Sequence, residues 1–125
     1  MIGYSMLGAN DPAKARAFYD PLMALLGAAV IEQYSTQKRV WYRKGDAAPL
    51  VIGTPHDGQP ATAGNGAMVA IPADTRAQVD AVHAKALELG AANEGDPGLR
   101  TAPFYGAYFR DLDGNKICLF TMKPE

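Results

Sequence analysis

Arg110-Asp111-Leu112-Asp113-Gly114-Asn115-Lys116-Ile117 is the stretch on which the reading of this chain turns. Asp113-Gly114 is a strong tight-turn signal, and it separates two strand-like runs, Tyr105 to Arg110 and Lys116 to Thr121. Asp111, Asp113 and Asn115 have the outline of a calcium loop. The sixth and twelfth positions are Lys116 and Met122, where Gly and Glu are required, so a calcium site is rejected.

Working back from this hairpin, the chain contains an earlier version of it. Trp41-Tyr42-Arg43 resembles Tyr108-Phe109-Arg110 at a spacing of 67, and Asp46 matches Asp113 at the same spacing. Two helical segments repeat as well. The first opens at Asp11-Pro12, where Asp caps free N–H groups and Pro suits the first turn, runs through Ala15, Phe18, Leu22 and Leu26, and stops at Gly27. Pro21 is expected to kink or split it. The second opens at Asp74-Thr75 with Gln78 at capping-box spacing, carries Val79, Val82, Ala86 and Leu89, and stops at Gly90. Asp11 to Asp74 and Gly27 to Gly90 are each 63 positions apart, which indicates a duplicated unit. Strand-like runs surround each helix: Ile2 to Gly8, Ala29 to Tyr34, Arg39 to Arg43 and Leu50 to Gly53, then Ala67 to Ile71 and a poorly defined run before Thr101 ahead of the terminal hairpin. The pattern is βαβββ, twice.

Composition sets the remaining bounds. The 125 residues, 48% apolar and 20% charged, suit one globular domain with a single core. Twelve basic and thirteen acidic side chains leave a net charge of -1, and the basic residues are scattered apart from Lys38-Arg39 and Arg43-Lys44. That argues against nucleic acid as a partner. Cys118 is the only cysteine, which excludes an intrachain disulfide and fits a reducing cytoplasm. No apolar run reaches membrane-spanning length, and Met1-Ile2-Gly3-Tyr4-Ser5 lacks a signal-peptide profile, so no membrane partner is expected.

The duplicated unit, the Asp111–Asn115 turn, and Asp11-Pro12 followed by Arg16-Ala17-Phe18-Tyr19 together resemble the vicinal oxygen chelate (glyoxalase/bleomycin resistance protein/dioxygenase) superfamily over nearly the whole chain. Leu112 stands where that family's turn usually has proline. The resemblance implies an α+β fold in which two tandem βαβββ modules, about residues 1–55 and 66–125, form one curved eight-stranded cup with helices outside. It does not fix the chemistry, because the family holds enzymes of several kinds and metal-free sequestering proteins. Metal-using members place His and Glu on the first and last strands of each module. The positions here that match are Tyr4 (or Ser5), Val51 (or Ile52), Met68 (or Ala67) and Cys118, none of them His or a carboxylate. The family's metal is therefore expected to be missing, and no cofactor is assigned.

Among individual residues, His83 sits at the margin of a helix's apolar face, where packing explains it better than catalysis. His56 lies in a loop directly after a strand; such histidines are commonly solvated, yet loops at a rim do touch ligands. Cys118 projects with Lys116 and Phe120, and a lone strand thiol is more often an apolar filler than a nucleophile. Tyr4, Met6, Trp41, Met68, Tyr105 and Tyr108 fall on or near strands. With His56 and Cys118 they form the candidate ligand-binding set, assisted by Arg39 or Arg43. Simple filling of the interior explains these side chains equally well. The expected function is binding of a small, partly apolar organic molecule by a metal-independent homodimer. A metal-dependent lyase or isomerase of glyoxalase type, and a non-catalytic dimeric interaction module, are the alternatives.

Overall fold

A computed structural model describes residues 1–125. Two compact units, Met1–Ala63 and Gly64–Glu125, each carry the same βαβββ order. The first contains β1 (Ser5–Gly8), α1 (Pro12–Leu25), β2 (Ala29–Val30), β3 (Arg39–Arg43) and β4 (Leu50–Gly53). The second contains β5 (Val69–Pro72), α2 (Arg76–Glu88), β6 (Ala92–Leu99), β7 (Tyr105–Arg110) and β8 (Lys116–Thr121). The sheet orders are β1-β4-β3-β2 and β5-β8-β7-β6, with β1–β4 and β5–β8 parallel and the other pairs antiparallel. The expected α+β class and tandem modules are thus observed, as two four-stranded sheets.

Local chemistry explains the boundaries. Asp11 accepts hydrogen bonds from the backbone N–H groups of Ala13 and Lys14. Thr75 Oγ1 accepts from Gln78 N, while Gln78 Oε1 accepts from Asp74 N, one residue further back than a standard capping box. Each helix ends at a glycine with positive φ, Gly27 at 80° and Gly90 at 106°, conformations that L side chains rarely adopt. Pro21 does not split α1. It removes one hydrogen bond to the Ala17 carbonyl, and Ala17 is exposed, so water can serve that oxygen.

The run from Ala29 to Tyr34 is a strand for two residues only. Glu32–Tyr34 form a 3-10 turn, with Tyr34 N and Ser35 N both donating to the Ile31 carbonyl. The Ser35 hydroxyl bridges the break by donating to Ile31 O and accepting from Trp41 N. The first strand begins at Ser5 instead of Ile2, and the fifth runs from Val69 to Pro72. The ill-defined run before Thr101 is β6, whose pairing with β7 contains two register shifts.

Each helix covers one face of its own sheet. Under α1 lie Val40, Tyr42, Leu50 and Ile52, facing Phe18, Tyr19, Leu22 and Leu26; all are buried. Under α2 lie Ala107, Phe109, Ile117 and Leu119, facing Val79, Val82 and Ala86. Leu89, expected to be buried, is only half-buried, and His83 takes a core position at 3% exposed. The His83 ring meets Asn93 Oδ1 at 3.2 Å and Tyr108 O at 3.1 Å. Asn93 Oδ1 already accepts from Gly95 N and both partners are acceptors, so Nε2 carries the proton. The position of the first helix that matches His83 at the 63-residue spacing is Asp20, and it too makes a polar contact to the sheet, here a part-buried one. Its Oδ1 accepts from the Tyr42 hydroxyl at 2.5 Å. Burial, then this bond, raises the Tyr42 phenol well above its ordinary range.

The turn at Asp111–Asn115 satisfies itself. Asp111 Oδ1 accepts from the N–H groups of Asp113 and Asn115, both at 2.9 Å, and the Asn115 amide donates to Asp111 Oδ2 at 3.0 Å. Leu112 is 47% exposed, so replacing the customary proline there disturbs no core contact. No helix is long and apolar enough to cross a membrane.

Candidate functional site

Strand alternation decides which side chains share a face. In the first module Met6, Val51 and Trp41 are register neighbours on the sheet face turned away from α1. Tyr4 joins them just before β1, its ring centroid 4.9 Å from that of Trp41. In the second module Ala70, Cys118 and Tyr108 are the equivalent neighbours, and Met68 has the same parity just ahead of β5. Trp41 opposite Val51 and Tyr108 opposite Cys118 are one pair, repeated at the 67-residue spacing.

Tyr105 departs from the expected set. It is three residues from Tyr108, an odd number, and its hydroxyl donates to Asp80 Oδ1 on α2 at 2.6 Å while Arg76 lies 5.1 Å over its ring. It belongs to the helix side and leaves the candidate site.

Tyr108 is flanked by Arg100, 5.3 Å from the ring centroid, and by Lys116 at 5.6 Å. Cys118 beside it is 1% exposed, and burial raises its thiol above the ordinary range. A raised thiol is the opposite of an activated nucleophile, so Cys118 is a packing residue here. In native protein it is expected to react with a thiol reagent about 100-fold more slowly than in denaturant, because labelling must await local opening. Equal rates in the two states would contradict this.

The first module holds an open cleft of about 760 Å3. Its walls come from the 3-10 turn and the segment after it (Tyr34, Thr36), from β3 (Arg39, Trp41) and from the 54–60 loop, including His56. Tyr34 packs edge-on to Trp41 with centroids 5.7 Å apart. The loop is tied back to the end of β1 by Asn10, whose amide donates to Ala61 O while its Oδ1 accepts from Ala61 N at 2.7 Å. Of the candidate residues, Trp41 and His56 line this cleft, with Tyr4 stacked on Trp41; Met68, Tyr108 and Cys118 lie in the second module. Sequence reasoning missed Tyr34 and Asn10, which loops carry into place without any periodic signal.

No group of three or more His, Cys, Asp or Glu is placed to hold a metal ion. Tyr4 and Val51 of the first module offer a phenol and an alkyl group, and Met68 and Cys118 of the second a thioether and a protonated thiol; neither pair has the donors that a divalent ion of nitrogen and oxygen preference takes.

Comparison with known proteins places the chain in context. The profile of the Glyoxalase/Bleomycin resistance protein/Dioxygenase superfamily matches residues 1–119. Among solved structures, a glyoxalase/bleomycin resistance protein from Albidiferax ferrireducens is 39% identical, with a TM-score of 0.88 and 99% of each chain covered. A glyoxalase/bleomycin resistance protein/dioxygenase family enzyme from Burkholderia phytofirmans shares the fold at 16% identity and a TM-score of 0.75, covering 97% of this chain and 98% of that one. The lactoylglutathione lyase of Agrobacterium tumefaciens does so at 22% identity and a TM-score of 0.66, with 97% and 92% covered. No curated protein matches.

Proposed function

Since the chain belongs to the glyoxalase/bleomycin resistance protein/dioxygenase superfamily, we propose that it binds a small, partly apolar organic molecule in the first module's cleft, and does so without a resident metal. The observation that carries this reading is the cleft itself. An aromatic wall of Trp41 and Tyr34 stands beside hydrogen-bonding and cationic groups from Arg39, Thr54 and His56, the mixture that fixes and orients a small ligand. Metal independence is supported by the donors that Tyr4 and Val51, and Met68 and Cys118, offer. A homodimer in the cytoplasm completes the proposal, supported by the terminal positions of β1 and β5 in their sheets and by the lone, buried cysteine.

A thermal-shift screen of metabolites and divalent metals, with and without chelator, tests it. A ligand at 100 times its Kd stabilises the native state by about 2.7 kcal/mol, and that gain is expected to survive chelation. Nearly one equivalent of metal per chain in untreated protein, lost on mutation of Tyr4, Met68 or Cys118, would replace this reading with the metal-dependent one. Light scattering is expected to give a dimer.

A further inference from the structure

We propose that the first module's cleft is an oxyanion site: it takes a flat organic body carrying a carboxylate or phosphate, with Lys38 and Arg39 on the anion and Trp41 and Tyr34 on the flat body. This deepens the reading of the cleft as a ligand site and rests on it.

Charge is the first ground. Two cations, Lys38 and Arg39, line the cleft, and no Asp or Glu does. Neither Lys38 nor Arg39 forms an ion pair, in contrast to Arg16 with Asp20 and Arg110 with Glu94. The Arg39 guanidinium has only the Thr54 carbonyl near it, at a marginal 3.5 Å. A guanidinium fork that lines the same cleft as two aromatic rings and lacks a carboxylate is prepared for a bidentate oxyanion from outside.

The backbone supplies the second ground. Arg39 pairs with Gly53, and Gly53 pairs with Gly8, so the two strands beside Arg39 present no side chain at this level, a glycine lane. The alkyl stem of Arg39 lies in that lane; a Cβ on Gly53 would run into Arg39 Cγ. At the lane's far end a Cβ on Gly8 would come within 2.9 Å of Ala61 Cβ. The glycines let the stem lie flat, which aims the head into the cleft. Arg39 and Trp41 are two residues apart on one face, about 7 Å along the strand, a separation that suits an anion attached to a single ring.

The duplication supplies an internal control. At the positions of the second module that match Arg39 and Gly53 stand Gly106 and Phe120, and Phe120 stacks on Phe104 with centroids 5.3 Å apart and planes 4° apart. The second module closes its lane with two rings, whereas the first closes it with the stem of a cation.

The test uses the full chain labelled with 15N. Trp41 is the only tryptophan, so its indole N–H gives one signal that reports on the cleft directly. Phenylacetate, phenyl phosphate, phenylacetamide and phenethylamine are titrated at constant ionic strength. Both anions, or one of them, are expected to bind about tenfold more tightly than the amide, with the amine weakest. The tighter anion identifies the group as carboxylate or phosphate. In Lys38→Met/Arg39→Met the anion-to-amide ratio is expected to fall about tenfold, with dispersed backbone signals showing that the variant is folded. Equal affinities for all four probes, or a ratio unchanged in the variant, would overturn the oxyanion assignment and leave the cleft as a ligand site. If none of the probes moves the Trp41 signal at concentrations up to about 50 mM, the proposed ligand site falls with it.

Discussion

Gly53→Ala is expected to lower stability by about 3 kcal/mol, at the upper end of what overpacking costs. The added Cβ would lie 2.5 Å from the Lys38 carbonyl oxygen and 2.9 Å from Arg39 Cα. Both are backbone atoms, so no rotamer change relieves the contact and the β3–β4 pairing must open. Urea denaturation reads the loss as a lower midpoint at unchanged slope. Gly3→Ala is the control: nothing lies within 4 Å of its added Cβ, and its midpoint should stay within about 0.5 kcal/mol of the parent. A Gly53→Ala protein with the parental midpoint would remove the reason given for the glycine lane. Because Arg39 lies over the same spot, the surviving folded variant should also lose the anion preference of the cleft.

Phe109→Ala is expected to cost about 3–5 kcal/mol, the usual range for truncating a buried phenylalanine. Phe109 is 1% exposed and sits on the helix face of β7 opposite Ile117, which is wholly buried. Val79 and Val82 of α2 are also at 0% exposed, so the sheet's central strands and the helix close over the ring from both sides. The cavity left behind cannot collapse without moving α2. A loss below about 1 kcal/mol would show that α2 repacks freely, contrary to the fully buried positions it presents.

How much of this was legible in the sequence depends on what each segment uses to hold itself. The helices were readable because their caps are side-chain chemistry: Asp11, Thr75 with Gln78, and the glycines at 27 and 90 perform in the structure the roles their types suggest. Strands β3, β4, β7 and β8 were readable to the residue, since short apolar or aromatic runs bounded by turn and charged residues leave little freedom. β6 was not. Ala92–Leu99 contains two glycines and a proline and no apolar alternation, so it is held by backbone pairing that sequence periodicity does not record. Tyr105 was grouped with Tyr108 as a candidate ligand contact although the odd separation of the two, which sets Tyr105 toward α2, stood in the sequence. The cleft was only half visible: Trp41 and His56 carried a signal, whereas Tyr34 reaches it from a 3-10 turn that interrupts a strand, an event with no periodic trace.

The irregularity of β6 also bears on how the protein behaves in a crowded solution. A long, flat outer strand is a template on which foreign chains, or misfolded copies, can nucleate fibrils. β6 is eight residues long and lies at the margin of its sheet, which would make it the chief hazard of the molecule. Its two register shifts, Pro97 and the charged pair Glu94 and Asp96 spoil it as a template, and β2 at the corresponding margin of the first sheet is cut to two residues. The same irregularity that hid β6 from pattern reading thus acts as a guard against runaway polymerisation, and a variant that regularised it, with Pro97→Val and Gly95→Thr, would exchange that solubility for a smoother ladder.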